Sequence, residues 1–375
     1  MRVIGVGGAG GNAINRMVDA GVDGIEFVAV NTDSQALLTS AAQIAVRIGD
    51  KLTRGLGVGG RPELGARAAE ESAEQLSELM RDTDMVFITA GMGGGTGTGA
   101  SPVIAKLAKE AGALTVGVVT RPFDFEGTRR RRAADEGINT LRETVDALIT
   151  IPNERLIHMV DPKTPITEAF RYADDVLRQG IAGISDLITK PGIINLDFAD
   201  VRTIMRDAGS ALMAIGHGTG ETRCIDAAKE AIESPLLEMN IQGATGVLYN
   251  ITAGPNLTLL ETSEAAEIIR AAADEDAEII YGTSIDETLG DAVMITLIAT
   301  GFDDHQVLAE YPVRRGRPQP AGRDRDRDRE RSAYRPAQPE QVARQPQQPS
   351  PYGAPILPDD DWEGEASIIR FLRDR

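Results

Sequence analysis

Two glycine-rich stretches carry the residues that could do chemistry. Gly5, Gly7 and Gly10 stand in the order G-x-G-x-x-G within "VIGVGGAGGNA", residues 3–13, directly after a short apolar run. Glycines at this spacing let a backbone approach a phosphate, and the helix that follows supplies amide donors. The second stretch, "GMGGGTGTGASP" at 91–102, follows the apolar run "DMVFITA" and repeats the order of strand, glycine loop and helix. Its amides, with the hydroxyls of Thr96 and Thr98, suit two or three phosphates and a magnesium ion. The chain has no G-x-x-x-x-G-K-[ST] lysine, so this is not a Walker-type site. The first loop alone, with Asp33 near the acidic ribose position of a dinucleotide fold, equally fits a nicotinamide-dependent oxidoreductase. That alternative leaves the second loop unexplained and finds no catalytic His or Tyr constellation.

The elements that must position these loops are visible as periodicity. Apolar runs at 2–6, 25–30, 84–89, 114–120 and 146–151 alternate with helical patterns such as 62–81. Nearly continuous apolar strands between helices predict a parallel sheet covered on both faces. Residues 164–190 read as one long helix, stopped by Pro191-Gly192. Helix-like 224–233 and 262–274 then alternate with "TGVLYNITAG", "AEIIYGTSID" and "DAVMITLIATGF". The fold class expected is α/β: an N-terminal parallel-sheet nucleotide-binding domain, a long central helix, a second smaller mixed α/β domain and a disordered C-terminal tail. The boundaries expected are 1–163, 164–192, 193–304, 305–358 for a linker and 359–375 for a terminal peptide.

Composition narrows the classes. The formal charge of -18 over 375 residues argues against general nucleic-acid binding. No apolar run approaches the roughly 18 residues needed to span a bilayer, so no direct membrane insertion is expected. No secretory signal opens the chain, and a cytoplasmic location is expected. Cys224, the only cysteine, reads as a small buried hydrophobe, and His158, His217 and His305 have no metal-ligand spacing. Between 313 and 358 ten Arg face five Asp or Glu, with almost no aliphatics. Such a segment cannot offset chain entropy by burial and reads as a tether. In "DDDWEGEASIIRFLRDR", at 359–375, apolar residues return, as in a peptide that orders on a partner.

The run GGGTGTG, with "GVGGAGGNA", "NTD", "PFDFEGTRR" and "NLDFADV" in that order, resembles the tubulin/FtsZ family over residues 2–304. The tail resembles the family's linker and C-terminal peptide. The resemblance implies a GTPase that polymerises head to tail into the bacterial cell-division ring, at mid-cell. It implies GTP or GDP as ligand, with Mg2+ bound mainly through the phosphates and no metal site made by the protein. Gly8, Ala9, Gly10, Gly11, Asn12 and Asn31 would belong to the first nucleotide loop and its neighbour strand. Gly93, Gly94, Gly95, Thr96, Gly97 and Thr98 would hold the phosphates. Glu126 would bind the ribose hydroxyls and Arg130 a terminal phosphate oxygen. Phe170 would stack on guanine, and Asp174 or Asp175 would accept from its N1 and N2 hydrogens.

The same resemblance puts the hydrolytic groups on a neighbouring subunit. Asp197 and Asp200 would polarise the attacking water, with Asn195 supporting. From spacing alone, Asp197 and Asp200 also read as a helix N-cap and a first-turn acid. The partners implied are further copies of this chain and, through 359–375, membrane-tethering and regulatory division proteins. A non-catalytic nucleotide-binding scaffold is the remaining alternative, and the two acids argue against it.

Overall fold

The computed structural model describes residues 1–302 except 158, 162, 190–193, 195–196 and 235–240. Asn195, the Pro191-Gly192 stop, the linker and the terminal peptide lie outside the described residues.

Ten strands form one sheet in the order β3-β2-β1-β4-β5-β6-β7-β10-β8-β9. They are β1 Arg2–Val6, β2 Glu26–Asn31, β3 Ile44–Arg47, β4 Met85–Gly91, β5 Leu114–Arg121, β6 Ala147–Pro152, β7 Gly209–Gly218, β8 Gly246–Ala253, β9 Glu278–Ile285 and β10 Val293–Thr300. The first six are all parallel. Their order reverses between β1 and β4, the switch point at which doubly wound sheets open a ligand crevice. The second half is mixed, because β10 runs antiparallel to both β7 and β8 while β9 is parallel to β8.

The parallel half is covered as its apolar runs require. Val3, Phe27, Met85, Phe87, Val116 and Ile149 point to one face, against helix Gly7–Asp19 and the central helix Ile166–Thr189. Their neighbours Ile4, Val28, Val86, Ile88 and Val119 point to the other, against helices Pro62–Glu71, Thr96–Glu110 and Thr128–Arg142. Adjacent residues on a strand face opposite ways, so a doubly covered strand is apolar at nearly every position, buried Thr89 and Thr115 being exceptions.

The central helix belongs to both halves. Ala173, Val176, Leu177, Ile181 and Ile184 join the first core, which also takes in Val201 and Ile204 of helix Phe198–Met205, Met213, Leu248 and Ile298. Helices Arg223–Ile232 and Leu259–Ala272 cover the other face of the second half around Tyr249. Strand β7 also pairs with β6 over three residues, Gly209 to Ala211. The halves therefore share a core and a sheet as well as the long helix. Segment 62–81, helical in its periodicity, forms two helices that meet at Ser72, whose hydroxyl accepts from the Gly49 amide at 3.1 Å.

Candidate nucleotide-binding site

Both glycine stretches leave the C-terminal ends of neighbouring strands, β1 and β4, at the switch point. Helix Gly7–Asp19 begins immediately after Val6 with no side-chain cap. The three fingerprint glycines are packing residues. A Cβ on Gly7, which has φ of +74°, would stand 2.9 Å from the Gly97 amide nitrogen. On Gly10 it would stand 2.5 Å from the Thr89 carbonyl, and on Gly5 it would strike Gly10. Gly8 and Gly11 differ, since a Cβ on either meets no atom within 4 Å. Both line a hollow with Asn12, Asn15, Asn31, Thr39 and Ser40.

The second loop is held from inside. The Gly93 amide donates to Thr98 Oγ1 at 2.9 Å, and Thr96 Oγ1 pairs with Thr32 Oγ1 at 2.9 Å. Both hydroxyls, expected to face phosphates, are buried and partnered within the protein. What remains is backbone: helix Thr96–Glu110 starts at Gly95 without a side-chain cap, leaving its first amides for an anion. Gly94 is open, with nothing nearer than 3.9 Å to a built Cβ.

Beside this helix end lies a cavity of about 470 Å³ lined by Gly59, Gly60, Gly93, Gly94, Gly95, Glu126, Arg129, Arg130 and Ala133. Two glycine loops, two basic side chains and one acid around that volume fit a nucleotide's sugar and phosphates. Gly59, Gly60 and Arg129 were missed from sequence. The run "GLGVGG" at 55–60 was the available signal for the first two.

Glu126 and Arg130 face each other. Arg130 Nη1 donates to Glu126 Oε2 at 2.5 Å, and Glu126 Oε1 accepts from the Phe123 amide at 2.9 Å. Arg130, expected on a phosphate oxygen, is here the counterion of a carboxylate that is only 9% exposed. Phe170 stands edge-on to Phe123 and Phe125, with ring centroids 5.4 and 6.4 Å away. Four residues along the helix, Asp174 is half-buried, and burial pushes its carboxyl up to about 6 against the pull of Arg16. Asp175 is occupied by its own helix, accepting from Arg178 Nε at 2.6 Å and Gln179 Nε2 at 2.7 Å. Asp174 makes no such pair with Arg178 or Gln179. Asp33, the acid that suited a nicotinamide cofactor, accepts from the Gln35 amide at 2.9 Å as a helix cap.

Asp197 and Asp200 are not brought to these loops. They open helix Phe198–Met205 as a capping box: Asp200 Oδ2 accepts from the Asp197 amide at 3.0 Å, and Asp197 Oδ1 from the Ala199 amide at 3.4 Å. Shortly after that helix, Asp207 pairs with Lys109 at 2.9 Å. Lys109 sits in the last turn of helix Thr96–Glu110, about 20 Å along its axis from the phosphate end. The central helix is about 36 Å long: Phe170 lies near its start, and Thr189 packs on Gly24 ahead of β2 at its end.

Among the described residues no three His, Cys, Asp or Glu side chains cluster as metal ligands, and no helix is long and apolar enough to cross a membrane. Cys224 is buried, and its thiol is pushed up to about 11 by desolvation.

Residues 1–161 match the Tubulin/FtsZ family, GTPase domain, and residues 209–303 match the FtsZ family, C-terminal domain. A solved structure of an FtsZ dimer from M. jannaschii, described as empty, is 47% identical. The match covers 80% of this chain and 87% of that one, with a TM-score of 0.77. CetZ2 from Haloferax volcanii, solved as a GTPγS-bound protofilament, shares the fold at 19% identity and a TM-score of 0.69, over 82% of this chain and 95% of that one.

Proposed function

This chain belongs to the FtsZ family and carries its GTPase domain, and we propose that it polymerises head to tail with GTP and hydrolyses it only at the junction between subunits. One observation supports the reading: helix Phe198–Met205, which Asp197 and Asp200 open, is followed by Asp207, and Asp207 pairs with Lys109 in the last turn of helix Thr96–Glu110, the end remote from the phosphate cradle. A subunit so built would hold the triphosphate at one end and offer carboxylates towards the other. Stacking repeats the same contact without closing, which yields filaments.

Within one subunit, the backbone of Gly8 to Asn12 and Gly93 to Thr98 would cradle the phosphates. Glu126 would accept from ribose hydroxyls, and Arg130, paired with it in the free protein, would reach a terminal phosphate oxygen. Phe170 would stack on the base. Asp174 would accept from N1 and N2 of guanine, an arrangement adenine cannot satisfy because its N1 is an acceptor. Magnesium, carried on the phosphates, would offset charge as the terminal phosphoryl leaves. From the next subunit, Asp197 and Asp200 would orient the attacking water, with Asn195 beside them. Such filaments would form a cell-division ring in the cytoplasm at mid-cell. Residues 359–375 would dock on membrane-tethering partners, so deleting them should spare polymerisation and remove that binding.

Mixing tests the junction. Asp200→Ala keeps a cradle but lacks an acid, whereas Asp174→Ala keeps the acids but lacks the base contact. Each alone should be nearly inactive, and an equimolar mixture should recover a substantial part of the turnover. A mixture as inactive as its components contradicts the split site.

A further inference from the structure

A short turn joins the helix that Asp197 and Asp200 open to the sheet. The helix ends at Met205 and β7 begins at Gly209, so Arg206, Asp207 and Ala208 make the whole connection. Asp207 takes φ of +51°, a region that residues with a side chain rarely adopt. Glycine is the usual residue at such a position. Here a side-chain contact accompanies the conformation instead: Asp207 Oδ1 accepts from Lys109 Nζ at 2.9 Å.

Lys109 is itself fixed from the side of the sheet. Its ammonium lies 3.1 Å from Oδ1 of Asp146, which is buried. Oδ2 of Asp146 accepts from the Thr115 amide at 2.9 Å, and its carbonyl accepts from the Gly209 amide at 2.9 Å. One buried aspartate thus ties together β5, the start of β7 and, through Lys109, the turn that leaves the acid-bearing helix. Burial works against the charge on Lys109, but its bonds to Asp207 and Asp146 raise its pKa on balance. The same contact holds the Asp207 carboxyl below the usual carboxylate range. A cation in the last turn of a helix is favourable by itself. That preference asks for no partner, whereas Lys109 has two.

We infer that Asp207 and Lys109 are positioning residues for hydrolysis: their pair fixes where helix Phe198–Met205 ends, and with it the direction in which Asp197 and Asp200 face a neighbouring subunit. This rests on the reading of those acids as the groups that complete the neighbour's site. Burial of Val201, Ile204 and Met205 holds the helix against the core, but apolar contact is non-directional. The ion pair supplies the direction. The helix has only eight residues, so a shift at its last turn is carried to its first. A displacement of about 1 Å at a reacting group can cost roughly a hundredfold in rate. Lys109 also stands on the helix whose first amides are left for the phosphates. The acids a subunit offers are therefore referenced to the same rod that holds its own nucleotide.

The test uses the complementing mixture of Asp200→Ala and Asp174→Ala chains, in which only the Asp174→Ala member supplies acids. Asp207→Gly removes the contact, suits the turn and strands no buried charge, because Asp146 keeps Lys109. Turnover is read per sedimented subunit. Asp207→Gly placed in the acid-supplying member should lower it about tenfold. Placed in the other member it should change turnover by less than about twofold, as an independent site does. Asp207→Asn, which keeps an acceptor for Lys109, should stay within about threefold of the parent mixture even in the acid-supplying member. GTP affinity in dilute solution should be unchanged throughout. An equal loss in both placements, no loss in the acid-supplying member, or a loss in Asp207→Asn as deep as in Asp207→Gly overturns the inference while leaving the split site standing. A parent mixture that recovers no turnover overturns both.

Discussion

The cradle and the acid-bearing turn are built on opposite principles. In the cradle, side chains are mostly absent or spent: Gly5, Gly7 and Gly10 are packed against backbone, and Thr96 and Thr98 are bound internally. What is offered to a ligand is main-chain amide, rigidly held. At the acid turn, Asp197 and Asp200 offer carboxylates, each tied to a helix cap by a single hydrogen bond. A carboxylate has two oxygens and several acceptor sites. One oxygen can cap while the other orients water, so the structural and catalytic readings of these acids coexist. On the proposed reading, binding would be distributed over a backbone that few substitutions can touch lightly, whereas hydrolysis would hang on a few side chains.

The contrast is broken or sharpened by substitution. The largest effect is expected at Asp200. Asp200→Ala should lower polymer-stimulated turnover by at least about a hundredfold while changing GTP affinity in dilute solution by less than about threefold. Wild-type turnover in the purified variant removes the acid from the mechanism.

Next come the glycines, which should separate by available space. Gly10→Ala forces a Cβ onto the Thr89 carbonyl and should cost about 2–3 kcal/mol, read as a lower melting temperature. Gly8→Ala meets open space in the free protein, so its melting should stay near wild type while GTP binding weakens about tenfold. Equal melting losses in the two variants would mean that Gly8 is a packing residue as well.

Asp174 gives a smaller effect with a defined pH dependence. Its folded carboxyl titrates near 6, above the usual carboxylate range. A protonated carboxyl cannot accept two guanine N–H donors, so GTP affinity should fall as pH drops through about 6. Stability runs the other way. A raised pKa favours folding at pH values below its unfolded value, and that contribution is lost as pH rises through 6. Asp174→Asn should therefore make the free protein about 1–2 kcal/mol more stable at pH 8, the gain building between pH 4 and 6 and levelling above. A flat difference across that range would contradict the assignment. The smallest effect on folding is expected at Asp197. Asparagine caps as well as aspartate, so Asp197→Asn should move stability by less than about 0.5 kcal/mol while turnover falls tenfold or more. If both change together, the cap and the chemistry are not separable.

The sequence made the covered strands legible because each is a continuous apolar run, and both glycine stretches because their neighbours are strand and helix. It hid Ile44–Arg47, whose exposure alternates at the edge of the sheet, and Gly209–Gly218, which crosses from one half to the other. Residue identity also could not tell a packing glycine from an open one. Gly8 and Gly10 look alike until the Thr89 carbonyl is placed beside one of them. In the same way, "RRRR" gives no hint that Arg130 turns to Glu126 while Arg129 is left on the cavity wall. Asp174 and Asp175 became distinguishable only when the helix showed which of them had Arg178 and Gln179 for partners. The glycine distinction and the cavity wall depend on segments far apart in the chain, whereas the Arg130 and Asp175 pairs are i, i+3 or i, i+4 contacts that the spacing permits but does not choose among the neighbouring side chains.

The most direct measurement is GTP turnover per molecule as a function of protein concentration, with sedimentation recorded on the same samples. Turnover near zero below the sedimentation threshold, rising sharply above it, is the result expected of a site completed by a second subunit. Full turnover per molecule in samples that do not sediment and run as monomers would contradict it.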